Sequence, residues 1–111
     1  MAIQEKQLGQ LRPANATAAS LYSPGASTTT IIKSIVVCNV TASDLTFRLF
    51  LDDNGTTYDE TTALFYDTII EGNSTVQVDT YYAMNNTAGN LAFRSSSGNA
   101  LTATCSGAEI T

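Results

Sequence analysis

Thr28-Thr-Thr-Ile-Ile-Lys-Ser-Ile-Val-Val-Cys-Asn-Val40 is the longest run of β-branched residues in the chain. Such side chains are stiff at χ1 and suit a pleated surface better than a helix. The run begins after a Pro24-Gly25 turn signal, with Pro and Gly at the central positions. It stops at Asn39, ahead of Thr41-Ala-Ser-Asp44. Strict alternation puts Ile31, Lys33, Ile35, Val37 and Asn39 on one face and Ile32, Ser34, Val36, Cys38 and Val40 on the other. Both faces are largely apolar, as in a strand covered on both sides. A single sandwich offers its core to only one face. The second face, Ile32 included, is therefore expected to meet another subunit.

The same reading extends outward in both directions. Residues 17–23 form a short strand before the central one. Residues 45–51 alternate cleanly, with Phe47, Leu49 and Leu51 opposed to Thr46, Arg48 and Phe50, and Phe50 is expected to point outward as a contact. Asp52-Asp53-Asn54-Gly55 supplies Asn-Gly, a hairpin signal. Further strands fall at 63–70, 74–84, 91–95 and 100–110, separated by Glu71-Gly72-Asn73, by 85–90 and by Ser96-Ser97-Gly98-Asn99. Residues 56–62 are polar and read either as a loop or as a short edge strand. Seven or eight short strands with turn signals between them describe an all-β, antiparallel β-sandwich over residues 16–111, either jelly-roll or immunoglobulin-like. Residues 1–15 lack a strong period. They read as an extended N-terminal arm that either frays or lies on a neighbouring subunit through Ile3, Leu8 and Leu11.

The chain has 111 residues, one domain's worth, and can bury roughly 65% of its unfolded surface. Its net charge is −5, placed unevenly. Residues 44–79 hold eight acids and one base, so that segment is −7 and the remainder +2. Two Lys and three Arg do not make a nucleic-acid or anionic-membrane surface. Only 14% of residues are charged, while Ser, Thr and Asn make up 35 of the 111. Ordinary soluble domains carry about 25% charged residues, so a hydroxyl- and amide-rich surface fits a subunit covered by neighbours. No apolar run approaches membrane-spanning length, and the first residues lack the apolar core of a secretory signal. Cys38 and Cys105 are then expected to be reduced, small hydrophobes, with a cross-strand disulfide as the alternative.

Reactive groups are scarce. Histidine is absent, which removes the usual general base and the commonest transition-metal ligand. Two isolated cysteines do not build a zinc site, and the seven glycines are scattered over turns instead of forming a phosphate loop. Asp52, Asp53, Asp59 and Glu60 are the one candidate Ca²⁺ site or glycosidase pair. Their spacing departs from the EF-hand loop, and a solvated hairpin is the simpler reading. The expectation is a protein with no catalytic residue, no metal and no cofactor. Tyr81 and Tyr82 are candidate surface anchors, since Tyr gives large contact area at low entropic cost; Tyr packed at a strand end is the competing reading.

Leu21-Tyr22-Ser23-Pro24, the run Thr30-Ile-Ile-Lys-Ser-Ile-Val-Val-Cys-Asn39, and the ending Ala100-Leu-Thr-Ala-Thr104 through Gly107-Ala-Glu-Ile-Thr111 resemble small virion proteins of tailed bacteriophages. The likeness runs from about Ala16 onward. It implies a structural protein of the particle, assembled in the host cytoplasm. Foremost is a capsid decoration or cement protein, working as a homotrimer bound to the major capsid protein. A tail, baseplate or fibre protein is the alternative, and a carbohydrate- or calcium-binding module a second. On this reading Ile3, Leu8, Leu11, Ile32, Phe50, Tyr81 and Tyr82 would carry the contacts.

Overall fold

A computed structural model describes residues 2–111 as eight strands. They are β1 (Ile3–Leu11), β2 (Ala19–Tyr22), β3 (Thr29–Asn39), β4 (Leu45–Asp52), β5 (Ala63–Ile70), β6 (Thr75–Met84), β7 (Asn90–Ser95) and β8 (Leu101–Ile110). The first sheet has the order β1-β8-β3-β6 and the second β2-β7-β4-β5, with every pairing antiparallel. β1 pairs with β8, β2 with β7, β3 with β6 and β4 with β5. The chain is thus one long hairpin whose tip is the β4–β5 connection. Rolling that hairpin up adds the β3–β8 and β4–β7 pairings. This is the double Greek key of a jelly roll and not the immunoglobulin order, so topology decides between the two sandwiches.

The core lies between the sheets. Ile32, Ile35, Val37, Leu101, Ala103 and Cys105 enter from the first, and Phe47, Leu49, Leu91 and Phe93 from the second, all fully buried. Phe47 stacks at a tilt on Phe65 and Phe93, with ring centroids 6.0 and 6.1 Å away. Each Ile, Val, Leu or Phe among them contributes about 1.5–3 kcal/mol when fully buried. Cys105 is in this core, while Cys38 alternates to the outer side of the same sheet, so the two thiols are free and on opposite faces.

The alternation expected for β3 breaks at Lys33. Ile32 pairs with Gly107 and Ser34 with Ser106, so Lys33 is an extra residue on its strand. A β-bulge resets which side chains face inward. Ile32 therefore joins Ile35 and Val37 in the core at 0% exposure, and is not the outward contact expected from strict period two. Gly107 lies opposite the bulge, where a Cβ would run into the Ile31 carbonyl.

The N-terminal segment also differs from the expected arm. Residues 3–11 are paired along β8 of their own chain, and Ala2 and Thr111 extend the ladder with N–H···O bonds of 2.8 and 2.9 Å. Leu8 and Leu11 pack against the chain's own core. Beyond them, the Asn99 N–H donates to the Pro13 carbonyl at 2.8 Å and Arg12 Nη2 to the Asn99 carbonyl at 2.9 Å. Met1 lies outside the described residues.

Two turn signals are used differently from their expected roles. A tight Asn-Gly hairpin needs both residues at positive φ, yet neither Asn54 nor Gly55 adopts it. Residues 53–62 form a longer connection instead. Asp52 accepts the N–H groups of Asn54 and Thr57, both at 3.0 Å, and Asp59 that of Thr61 at 2.8 Å. After Pro24-Gly25, the left-handed position falls on Ser27.

Asn39 ends β3 and is 1% exposed. Its Nδ2 reaches the carbonyls of Ser43, Ile70 and Glu71 at 2.8, 3.2 and 3.1 Å, while its Oδ1 accepts from the Thr41 N–H and hydroxyl at 3.0 and 2.8 Å. One amide thereby ties the end of β3 to the β3–β4 turn and to the β5–β6 turn. Asn39→Ala leaves buried carbonyls unpaired and is expected to cost about 1–3 kcal/mol. Urea unfolding at neutral pH checks this, and an unchanged midpoint would remove Asn39 from its role as a tie.

Candidate interaction surface

The outer face of the first sheet can be read as rows across its strands. Gln10, Thr104, Val36 and Gln77 form one row, and Thr102, Cys38 and Thr75 the next. A third holds Gln7, Ser106, Ser34 and, at the edge, Asp79. Gln10 Nε2 donates to Thr104 Oγ1 at 3.1 Å along the first row. The central strands β8 and β3 thus present hydroxyls, small groups and one Val, with no charge over three rows. Charge returns beyond the bulge, where Lys33 reaches over β8 to Glu5 on β1 at 2.6 Å.

The seven residues expected to make contacts divide sharply. Ile3 and Tyr81 are 65% and 73% exposed, on the two edge strands of the first sheet. Leu8, Leu11 and Tyr82 pack partly buried against the core, and Ile32 lies within it. Phe50 does point away from the core, but its own chain covers it. Tyr58, from the β4–β5 connection, and Tyr66, from β5, lie against it with centroids 6.1 and 6.5 Å away, leaving it 1% exposed. The exposed apolar residues that alternation did not single out are Val40 and, on edge strand β5, Leu64, Tyr66 and Ile69. Each reads in sequence as an ordinary strand position, and only the strand order shows β5 to be an edge.

The outer face of the second sheet carries the charge. Arg48 on β4 stacks over the Tyr66 ring at 3.9 Å and holds Asp67 through Nε and Nη2 at 2.7 and 3.1 Å. The hydrogen bond from Arg48 holds the Asp67 carboxyl below its ordinary range.

Asp52 and Asp59 are occupied with turn hydrogen bonds, Glu60 accepts from the Tyr66 hydroxyl, and among the described residues no three His, Cys, Asp or Glu gather to hold a metal ion. Burial pushes the Cys105 thiol up to about 11, so it remains a protonated core group. A recess of about 290 Å³ lies along residues 11–19 and is lined mainly by Leu11, Pro13 and alanines, with Arg12 its one charged group.

No protein-family model and no curated protein matches the chain. Its fold does have a solved counterpart. Over 97% of its length it superposes on a chain in the structure of infectious bursal disease virus Gx strain, with a TM-score of 0.53 and 13% identity. A chain in the structure of the Gt strain aligns over the same share at a TM-score of 0.42 and 11% identity. The protein spans about a third of the length of those chains, 32% and 29%. At this identity the likeness is one of fold.

One polar cluster pins the otherwise exposed β1 to the sandwich. Glu109 accepts from Lys6 Nζ at 2.7 Å and from the Tyr22 hydroxyl at 2.6 Å, with Thr30 Oγ1 also 2.6 Å from that hydroxyl. β1, β2, β3 and β8 meet here. Burial, with the hydrogen bond to Glu109 second, raises Tyr22 from 10.0 to about 12. Lys6, then Tyr22, holds Glu109 below its usual value. A phenol whose folded pKa is raised stabilises the fold fully below its unfolded pKa and loses that contribution as pH climbs through the folded value. Stability should therefore decline as pH rises from about 10 to about 12. Tyr22→Phe should flatten that decline in urea midpoints taken across the range; an unaltered slope would contradict the assignment.

Proposed function

We propose that the protein is a structural subunit of a virus particle, and specifically a decoration or cement protein bound to the shell of a bacteriophage head. It works by surface burial and not by reaction. The observation that carries this reading is the outer face of the first sheet, whose central strands β8 and β3 present no charge over three rows. A free, soluble surface normally intersperses charges of both signs, whereas the core of a protein contact is depleted of them. The jelly-roll topology and its fold likeness to a chain in a virus structure support the same reading. Burying that face against a shell protein would stiffen the shell without any moving part.

Deleting residues 1–12 is not a clean test, because it removes a paired strand. Thr104→Lys is cleaner: it sets one ammonium in the uncharged middle of that face. Folding stability is expected to change by no more than about 0.5 kcal/mol, while occupancy on particles falls at least about tenfold, the cost of a desolvated unpaired charge. Quantitative mass spectrometry of purified particles reads that occupancy. In the wild type it also reads copy number: stoichiometry comparable to the shell's own subunits is expected. A count far below that would move the protein to the tail, baseplate or fibre, and absence from particles would end the proposal.

A further inference from the structure

A line of side chains crosses the outer face of the second sheet. It runs from Arg94 on β7 through Arg48 on β4 to Tyr66 and Asp67 on β5, and ends at Glu60 on the connection before β5. Arg94 and Arg48 are direct cross-strand partners, an arrangement of like charges that costs stability. One carboxylate serves both. Asp67 binds Arg48 through both its oxygens and stands 3.9 Å from Arg94 Nη1. Asp67 reaches that place from a bulge in β5, at a left-handed φ of 52°. Among the described residues Arg94 otherwise donates only through Nε, to the Ala16 carbonyl at 3.3 Å. A guanidinium has five N–H donors, so this one is short of acceptors while its side chain is 26% exposed. At the opposite end Glu60 accepts from the Tyr66 hydroxyl at 3.2 Å and, among the described residues, forms no ion pair. Leu64 and Tyr66, each 37% exposed, and Ile69, at 68%, are the apolar residues on β5 beside it.

The line therefore runs from an under-satisfied cation, over the Arg48–Asp67 ion pair and the Tyr66 ring, to an unpaired anion, with Leu64 and Ile69 on its β5 side. Such a surface is complementary to itself. β7 and β5 are two strand spacings apart, about 10 Å, and a half-turn about an axis along the strands exchanges the two ends. We propose that this face is a two-fold contact between two copies of the chain, in which Glu60 of each copy bonds Arg94 of the other and the Tyr66 and Ile69 side chains of each β5 are covered by the β7 side of the partner copy. Two-fold contacts are isologous and require this kind of self-complementarity, and Arg and Tyr are the residues that dominate contact energies. The β5 bulge spoils regular strand-to-strand pairing at the sheet edge, which leaves the face as the docking element. The contact does not depend on the particle reading, and it differs from the threefold association implied by the phage resemblance.

Sedimentation equilibrium of the full chain tests it. The wild type should dimerise, and Arg94→Glu and Glu60→Arg should each weaken dimerisation at least about tenfold. An equimolar mixture of the two variants should recover wild-type affinity, because both crossed pairs re-form in the heterodimer. The doubly substituted chain R94E/E60R should also dimerise, with both charges exchanged. Ile69→Asp, at a residue already two-thirds exposed, should fold normally and lose the dimer, so the test stands even if a charge variant misfolds. A wild type that stays monomeric or forms only trimers, a dimer that none of these substitutions weakens, or a mixture no tighter than its components would each overturn the proposal.

Discussion

The double pairing of β3 is the constraint on which the remaining structure rests. β3 hydrogen-bonds to β6 on one side and to β8 on the other, and its inner face supplies Ile32, Ile35 and Val37 to the core. A strand held on both edges cannot slip, because a one-residue shift would turn its apolar set outward. The extra residue at Lys33 is absorbed as a bulge, and that bulge demands Gly107 beside it. Where β3 ends, Asn39 fastens two further turns. Register, glycine placement and loop anchoring thus follow from one strand.

The two outer faces are built on different terms. On the first sheet, hydroxyls and amides face outward in rows, and the nearest ion pair lies beyond the bulge. On the second, two arginines and a bulge-borne aspartate are set beside exposed apolar side chains. A weakly charged chain that concentrates its charge in this way leaves the middle of the other face, on β8 and β3, free of it. Desolvating such a surface does not carry the large penalty that burying ions would.

Much of the fold was legible in the residues themselves. Central residues such as Phe47 and Leu49, or Leu101 and Ala103, alternate as a half-buried strand must, and the β5 and β6 segments lie almost where their patterns begin and end. What escaped was whatever depends on the partner strand. Ile32 reads outward by period two and is turned inward by a bulge that only the β8 register reveals. Leu8 and Leu11 read as an arm's anchors because their partner, β8, is at the far end of the chain. Phe50 does lie on the outward side, yet Tyr58 closes over it from a connection whose path is set by Asp52, not by Asn54-Gly55. The candidate surface was less legible still. The uncharged middle of the first sheet is a property of β8 and β3 side by side, and the Arg48–Asp67–Arg94 cluster joins residues from three strands.

The nesting of the hairpin has a consequence for how the polypeptide is made. β1 leaves the ribosome before the other seven strands, and β8, its one ladder partner among the described residues, leaves after them. Translation at roughly 5–20 residues per second leaves the nascent segment without that partner for on the order of ten seconds. Through that interval it is a lone strand with open hydrogen-bonding edges, the kind of element that invites aggregation. Its composition suits the wait: Gln4-Glu5-Lys6-Gln7 is polar and charged, and Gly9 lowers β propensity. The most exposed strand of the finished sandwich is thus also the one best able to stay soluble until β8 emerges to pair with it.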